Sequence, residues 1–242
     1  MSKNSEKAVT TKKETMPAAA MDMSAWGDGD VSAKDIIIPK ILCMQGLSDL
    51  VADGKAKMGD FVDNLTNEVI GSIDNPVDFV PFHMEKIYII SKKGQGDNRF
   101  EFDRIEAEAG QQYPFEEEIG GVTYKYEYTL QFYVLRPEDT SIPYVISFKS
   151  TSLKAGKTLA TQMYVRNRAA GLVPPAYTMQ LTGIKEKGQQ GTYIKLVAKQ
   201  GAKTEPGLIN ECLTWLSAVK SGQAKAASDA PSAPVQEQEM PF

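Results

Sequence analysis

The residues with the clearest catalytic pattern are Gly156-Lys157-Thr158, which follow an apolar run ending at Phe148. A phosphate-binding loop has the pattern G-x-x-x-x-G-K-[ST], in which backbone N–H groups and the lysine surround the phosphates. Thr151 replaces the first glycine of that pattern, and its Cβ hinders the tight turn. The neighbouring strands are predicted to be antiparallel hairpins, not a parallel βαβ unit. A P-loop-like nucleotide-binding enzyme is therefore the alternative function, and a basic helix start that attracts phosphate is favoured.

Other catalytic groups are scarce in the sequence. The single histidine, His83, lies between two apolar residues and is predicted to be a strand residue, not a base. Cys43 and Cys212 are far apart in apolar surroundings, which predicts inert core thiols and neither a disulfide nor a metal site. The acidic run 116–118 is typical of a solvated loop. We therefore predict no enzyme, no metal and no cofactor.

Charge is distributed unevenly along the chain. The net charge is −4, but residues 121–204 contain 12 Lys and Arg against 4 Asp and Glu. A basic segment in an acidic protein indicates a surface that binds a polyanion, and the alternative is a solvated basic face without a ligand. Aromatic residues interleave with these cations. This combination favours single-stranded nucleic acid, for which a cationic groove follows the backbone and rings stack on bases.

The predicted DNA-binding residues lie on the polar faces of strands and on one helix. They are Lys125, Tyr133, Lys149, Lys154, Lys157, Tyr164, Arg166, Arg168, Tyr193, Lys195 and Lys199. Tyr124, Tyr126 and Tyr128 fall on the apolar face of their strand, so we expect them in the core. Duplex DNA requires an element that enters a groove, and the sequence contains neither a helix-turn-helix nor a zinc finger.

The elements that must position these residues are mainly strands. Apolar residues alternate with polar ones in 122–134 and again in 142–148, which predicts a hairpin. Residues 176–199 predict a second hairpin around KEKGQQG. Apolar runs in 77–90, followed by FEF, predict two or three strands joined by a hairpin. The segment 106–121 is predicted to be an acidic connection.

Two helices complete the predicted fold. Residues 152–170 lie between the two hairpins, with Ser152 as the N-cap and Gly171 at the end. Residues 206–222 predict a C-terminal amphipathic helix. The fold class is therefore mainly β (α+β): an antiparallel Greek-key OB-like barrel with an inserted helix. A sandwich of another topology fits this order nearly as well.

The flanking segments differ in composition from the middle of the chain. Residues 1–33 predict a disordered arm, 34–220 a single OB-like nucleic-acid-binding domain, and 221–242 a disordered linker that ends in an interaction tip. No stretch approaches the roughly 18 apolar residues of a membrane span. The first residues contain no apolar run long enough for a signal peptide. We therefore expect a cytoplasmic protein without membrane contact.

The layout resembles that of phage single-stranded-DNA-binding proteins. In the bacterial family an acidic run ends in Ile-Pro-Phe, and here QEQEMPF (236–242) has Met for Ile and fewer acids. The stretch SFKSTSLKAGKTLATQM (147–163) also resembles such phage proteins. The resemblance implies a sequence-tolerant protein that coats and protects single-stranded DNA (ssDNA) in replication, recombination and repair. It also implies that the protein works in the cytoplasm of a bacterial host.

The resemblance further implies a docking role for the tip. The implied partners are replication, recombination or transcription proteins of the phage or its host. A flexible linker keeps such a tip near partners on the same DNA, which raises its effective concentration. The implied partner-binding residues are Glu237, Glu239, Met240, Pro241 and Phe242. The sequence leaves the oligomeric state open between a monomer and a homodimer.

Overall fold

Strands dominate the computed structural model, which describes residues 37–93, 100–107, 112–188, 191–221 and 225–226. These residues form the strands β1 (Ile37–Ile38), β2 (Ile41–Cys43), β3 (Asp60–Asp63), β4 (Val69–Ser72), β5 (Val77–Lys93), β6 (Phe100–Glu106), β7 (Glu116–Ile119), β8 (Val122–Arg136), β9 (Asp139–Lys149), β10 (Tyr177–Gly188), β11 (Gly191–Lys203) and β12 (Lys225–Ala226). Their helices are α1 (Asp49–Ala52), α2 (Leu153–Thr161), α3 (Asn167–Ala169) and α4 (Pro206–Lys220). In this part of the chain every helix is too short or too polar to span a bilayer. The predicted arm 1–33 lies outside the described residues.

A seven-stranded sheet forms the body of the fold. Its order is β11–β10–β5–β8–β7, while β6 pairs with β5 and β9 pairs with β8. All of these pairings are antiparallel. The long β5 bends at a bulge near Pro81, and the sheet curls into a half-barrel. The three predicted hairpins, β5–β6, β8–β9 and β10–β11, are confirmed, as is a mainly β, barrel-like fold.

The main core fills the inner face of the curled sheet. Side chains alternate between the faces of a strand, so every second residue of β8 and β9 points inward. The helical segment between β9 and β10 covers this face with Leu159 and Met163. The inward residues of the two strands are Leu130, Phe132, Val134, Tyr144, Ile146 and Phe148.

The outer face of the same strands carries a second apolar cluster. Val80, Tyr133 and Val145 pack there against Cys212 and Val219 of α4. The prediction of a C-terminal amphipathic helix is therefore confirmed, and its apolar side buries the outer face of the sheet.

The helical segment between the hairpins differs from the prediction at its start. A 3₁₀ turn (Ser150–Ser152) leads into α2, and a π-helical turn (Gln162–Arg166) joins α2 to α3. Ser152 does not cap the helix as predicted, because its hydroxyl accepts a hydrogen bond from the Leu196 N–H at 2.9 Å. The end at Gly171 is confirmed. Its φ of +70° is a left-handed conformation that glycine adopts without a Cβ clash.

Two further segments correct the predicted boundaries. Glu116–Ile119, placed in an acidic connection by the sequence, is the edge strand β7 and pairs with the start of β8. Residues 225 and 226, placed in the disordered linker, form β12 and pair in parallel with β1. The described chain therefore returns to the domain after α4.

Candidate nucleic-acid interface

A groove of about 1050 Å³ opens between β9, the start of β11 and the segment 41–48. Within the described residues, β9 and β11 form no ladder with each other. The segment before β2 pairs with β9 instead. Lys40 forms a parallel β-bridge with Val145, and the Val145 N–H donates a hydrogen bond to the Pro39 carbonyl at 2.8 Å. The groove therefore lies where the barrel is incompletely closed.

The side chain of Gln45 takes the place of a strand partner for β11. Its Oε1 accepts a hydrogen bond from the Ile194 N–H at 2.8 Å, and its Nε2 donates to the Ile194 carbonyl at 3.2 Å. Two residues farther along β11, the Leu196 N–H donates a hydrogen bond to the Ser152 hydroxyl. These contacts fix the segment 41–48 as one wall of the groove and leave its interior open.

The groove has an apolar interior and a polar rim. The turn after β9 contributes Ser150, whose φ of +47° is uncommon for a residue with a Cβ and is often found at functional sites. Lys149 and Tyr193 are the predicted interface residues that line the groove. The apolar lining comes from Ile41, Met44, Leu47, Met58, Ile194 and Leu196.

Carboxylates hold the cations of the rim in place. Lys149 Nζ lies 2.8 Å from Glu127 Oε2 across the β8–β9 pair. On the β10–β11 hairpin, Glu186 accepts hydrogen bonds from Lys195 Nζ and from the Tyr193 hydroxyl, both at 2.7 Å. These bonds, first the one from Lys195, lower the pKa of the Glu186 carboxyl. The same contacts raise the pKa values of Tyr193 and Lys195.

The predicted residues of the helical segment form a separate basic face. The Tyr164 ring is 37% exposed, and the burial of its remaining surface raises the pKa of its hydroxyl. This face looks away from the buried side of α2 and does not line the groove, although the segment begins at the groove with Ser152. The exposed cations are Lys154, Lys157, Arg166 and Arg168.

The remaining predicted residues are not brought together. Lys125 Nζ lies 3.6 Å from Glu116 Oε2 on the neighbouring β7. Lys199 is exposed farther along β11. Tyr133 is 2% exposed, because α4 covers the outer face of its strand. A buried ring cannot stack on a base, so we leave Tyr133 out of the interface. The tip, Glu237 to Phe242, lies outside the described residues.

The phosphate-loop pattern adopts a different geometry from the one that nucleotide binding requires. Gly156, Lys157 and Thr158 lie inside α2, where their N–H groups belong to the helix and not to a phosphate-binding loop. The Thr158 hydroxyl donates to the Lys154 carbonyl at 3.0 Å. Gly156 is buried against Phe148, so its lack of a Cβ serves helix–sheet packing.

Of the other candidate reactive groups, Cys212 is buried and Cys43 and His83 are half-buried. Burial, with a smaller contribution from Asp60, raises the pKa of Cys43 to about 12, and burial raises the pKa of Cys212 to about 12. Burial also lowers the pKa of His83, which lies in β5 as predicted. No group of three or more His, Cys, Asp or Glu that could hold a metal ion occurs among the described residues.

Sequence reasoning missed two groups that line the groove, Gln45 and Glu127, and one beside it, Glu186. Gln45 meets β11 through a contact that spans 149 residues of chain, which no local pattern indicates. Glu127 and Glu186 are two of the four acids in the segment 121–204, whose role is predicted from its cations. The alternation of strand residues offered a signal for both, because it places Glu127 near Lys149 and Glu186 opposite Tyr193.

These features define a barrel-like antiparallel β protein with an apolar groove at an incompletely closed seam. The chain belongs to the Pam3 phage gp34-like protein family, whose model matches residues 10–225. Comparison with curated proteins found no match, and comparison with solved structures found none either.

Proposed function

We propose that this protein is a sequence-tolerant ssDNA-binding protein that coats and protects ssDNA during phage DNA replication and recombination. The observation that carries the proposal is the position of the groove. Oligonucleotides bind OB folds on the face of strands two and three, between the loops that follow strands one and four. With β5, β8, β9, β10 and β11 as the five strands, the groove adjoins strand three and the fourth loop.

The strand order supports the OB-like assignment on which this proposal depends. Strand one pairs with strands two and four, two pairs with three, and four pairs with five. The helical segment lies between strands three and four, as in an OB fold. The open seam between strands three and five agrees with the partly open barrel of that fold.

The chemistry of the groove suits a single strand better than a duplex. Unpaired bases can enter the apolar interior, where Leu47 is 93% exposed at the wall. Phosphates can replace Glu127 and Glu186 as partners of Lys149 and Lys195. A duplex offers phosphates but keeps its bases stacked inside. Membership of a phage protein family agrees with a role in phage DNA metabolism in the host cytoplasm.

A titration of fluorescent oligo-dT tests the proposal directly. We expect tight binding that weakens steeply between about 50 and 200 mM salt, because each neutralised phosphate releases counterions. Oligo-dA and mixed sequences should bind comparably, since the groove offers stacking and charge without base-edge readout. Duplex of equal length serves as the competitor. Equal affinity for duplex, or binding that salt does not change, would contradict the proposal.

We further propose that residues 236–242 recruit a replication, recombination or transcription partner. Phe242 supplies a ring to bury, Pro241 limits the chain entropy lost on docking, and Glu237 and Glu239 can meet basic residues at a pocket rim. Deletion of 236–242 should leave thermal melting unchanged and ssDNA affinity unchanged or higher, because negative charge that competes with DNA for the protein is removed.

The same deletion should abolish capture of the partner from a lysate of the host carrying the phage. The control replaces 236–242 by a Gly/Ser segment of equal length. This variant keeps the chain length and removes the acidic and apolar side chains of the tip. A truncated protein that retains every partner would show that the tip is not the docking element.

A further inference from the structure

A stack of tyrosine rings lies on the extension of β5 and β8 beyond the main core. Tyr113 lies in the connection before β7, and its ring stacks on that of Tyr126. The two ring centroids are 4.7 Å apart and the ring planes are tilted by 12°. Tyr124 continues the row, with its centroid 6.5 Å from that of Tyr126 and a tilt of 21°. We call Tyr113, Tyr126 and Tyr124 the tyrosine stack.

Two further tyrosines anchor the stack to the core. Tyr88 and Tyr128 are directly opposite each other on β5 and β8, and their rings meet edge to face at 5.4 Å. Tyr88 also meets the Tyr113 ring edge to face at 5.0 Å. Tyr128 packs against the main core, whereas Tyr124 and Tyr126 are half-buried beyond it. The sequence-based expectation of a core position therefore holds for Tyr128 and not for the outer pair.

The spacing of the outer pair suits a planar ligand. Successive same-face residues of a strand are roughly 6.6 Å apart, which is about twice the 3.4 Å rise between stacked nucleotides. The ring centroids of Tyr124 and Tyr126 are 6.5 Å apart and their planes are tilted by 21°, so the two residues present near-parallel rings on which a base can stack. Tyr113 already demonstrates such stacking on Tyr126 within the protein itself.

We propose that Tyr124 and Tyr126 form a base-stacking site for ssDNA, separate from the groove; this inference rests on the proposed function. Both rings lie on the inner face of β8, whereas Glu127, which lines the groove, lies on the outer face. A strand must therefore pass around the sheet extension to occupy both surfaces. A short oligonucleotide fills only the groove, and a longer one engages the tyrosine stack.

The charges near the stack predict how its contribution depends on salt. Glu117 of β7 is directly opposite Tyr124 and helps to raise the pKa of Tyr126, after the effect of burial. Lys92 of β5 is directly opposite Tyr124 on its other side, so the neighbouring charges are of both signs and the stack contributes through ring stacking. Loss of a ring should weaken binding by the same factor at low and high salt. Loss of a lysine in the groove should instead reduce the salt dependence itself.

The test compares full-length wild type with Tyr124→Ala, Tyr124→Phe and Phe115→Ala. Stacking contributes roughly 1–3 kcal/mol per base, so we expect Tyr124→Ala to bind dT of about 30 nucleotides about tenfold more weakly at both salt concentrations. Its affinity for dT of about 5 nucleotides should equal that of the wild type. Tyr124→Phe keeps the ring and should keep the affinity. Phe115 is an exposed ring outside the stack, so its removal should change nothing.

Photocrosslinking of wild type with bromouracil-containing dT provides a readout that needs no variant. We expect crosslinks at Tyr124 or Tyr126 with the long oligonucleotide and none there with the short one. Tyr124→Ala that binds long dT as tightly as wild type, or crosslinks that avoid both residues, would overturn the stacking site and leave the groove intact. Wild type that fails to bind any ssDNA would overturn the proposed function and the stacking site together.

Discussion

Replacing Gly156 with alanine is expected to destabilise the protein by about 2 kcal/mol, although alanine is the better helix former. The added Cβ would lie 2.6 Å from Cβ and 3.1 Å from Cγ of Phe148, and 3.3 Å from Cδ1 of Leu130. The Cβ of Phe148 is fixed by the backbone of β9 and cannot move aside as the end of a long side chain would. α2 must therefore move away from the sheet, which loosens the packing of Leu159 on the core.

Thermal melting and urea denaturation measure this effect. A destabilisation of about 2 kcal/mol should lower the Tm by roughly 4–8 °C in a domain of this size. Gly207 provides the matched control, because it lies in the first turn of α4 and an added Cβ there meets nothing within 4 Å. Gly207→Ala should be neutral or stabilising by up to about 1 kcal/mol.

The comparison of Gly156→Ala with Gly207→Ala also distinguishes two roles for Gly156, phosphate binding and helix–sheet packing. A phosphate-binding glycine would be needed for nucleotide binding, and its replacement would impair that activity first. A packing glycine is needed for stability whether or not a nucleotide is present. Equal melting of Gly156→Ala and Gly207→Ala would contradict the packing role.

The hairpins were predictable because their signal is long and local. In β8 the alternation persists over residues 122–134, and it assigns Phe132 and Tyr133 correctly to opposite faces. It does not reveal what covers the second face. Tyr133 was therefore predicted to be available to DNA, whereas Cys212 and Val219 of α4 bury it from the far end of the chain.

The groove itself was not predictable, since its shape depends on contacts between distant segments. Ser152 has the residue type and position of an N-cap, but tertiary structure uses its hydroxyl for the Leu196 N–H. Gln45 is an ordinary polar residue in the sequence and acquires its role when β11 lies beside it. The cations Lys149 and Lys195 were predicted from composition, and the fold places Lys149 in the groove lining and Lys195 beside it on β11.

The second large effect is expected when both of these lysines are neutralised. Lys149→Gln combined with Lys195→Gln should weaken ssDNA binding about a hundredfold at low salt, since a charge-assisted hydrogen bond contributes roughly 1.5 kcal/mol or more. The slope of log K against log salt should become shallower by roughly 0.7 for each phosphate that the protein no longer neutralises. Lys220→Gln, in the last turn of α4 and away from the β10–β11 hairpin, removes one positive charge, half of what the double variant loses, and should have little effect on either quantity.

Glu186→Gln should act in the opposite direction and so test whether the carboxylates compete with phosphate. It removes the negative charge and one of the two acceptor oxygens, which weakens the 2.7 Å hydrogen bonds from Lys195 and the Tyr193 hydroxyl. A phosphate then gains both donors without displacing an anion, so ssDNA affinity should rise several-fold and most strongly at low salt. Glu211→Gln, at an exposed position on α4, removes the same charge at a distance and corrects for the change in net charge. If Glu186→Gln weakens binding while Glu211→Gln leaves it unchanged, the carboxylate orients Lys195 toward the DNA and does not compete with it.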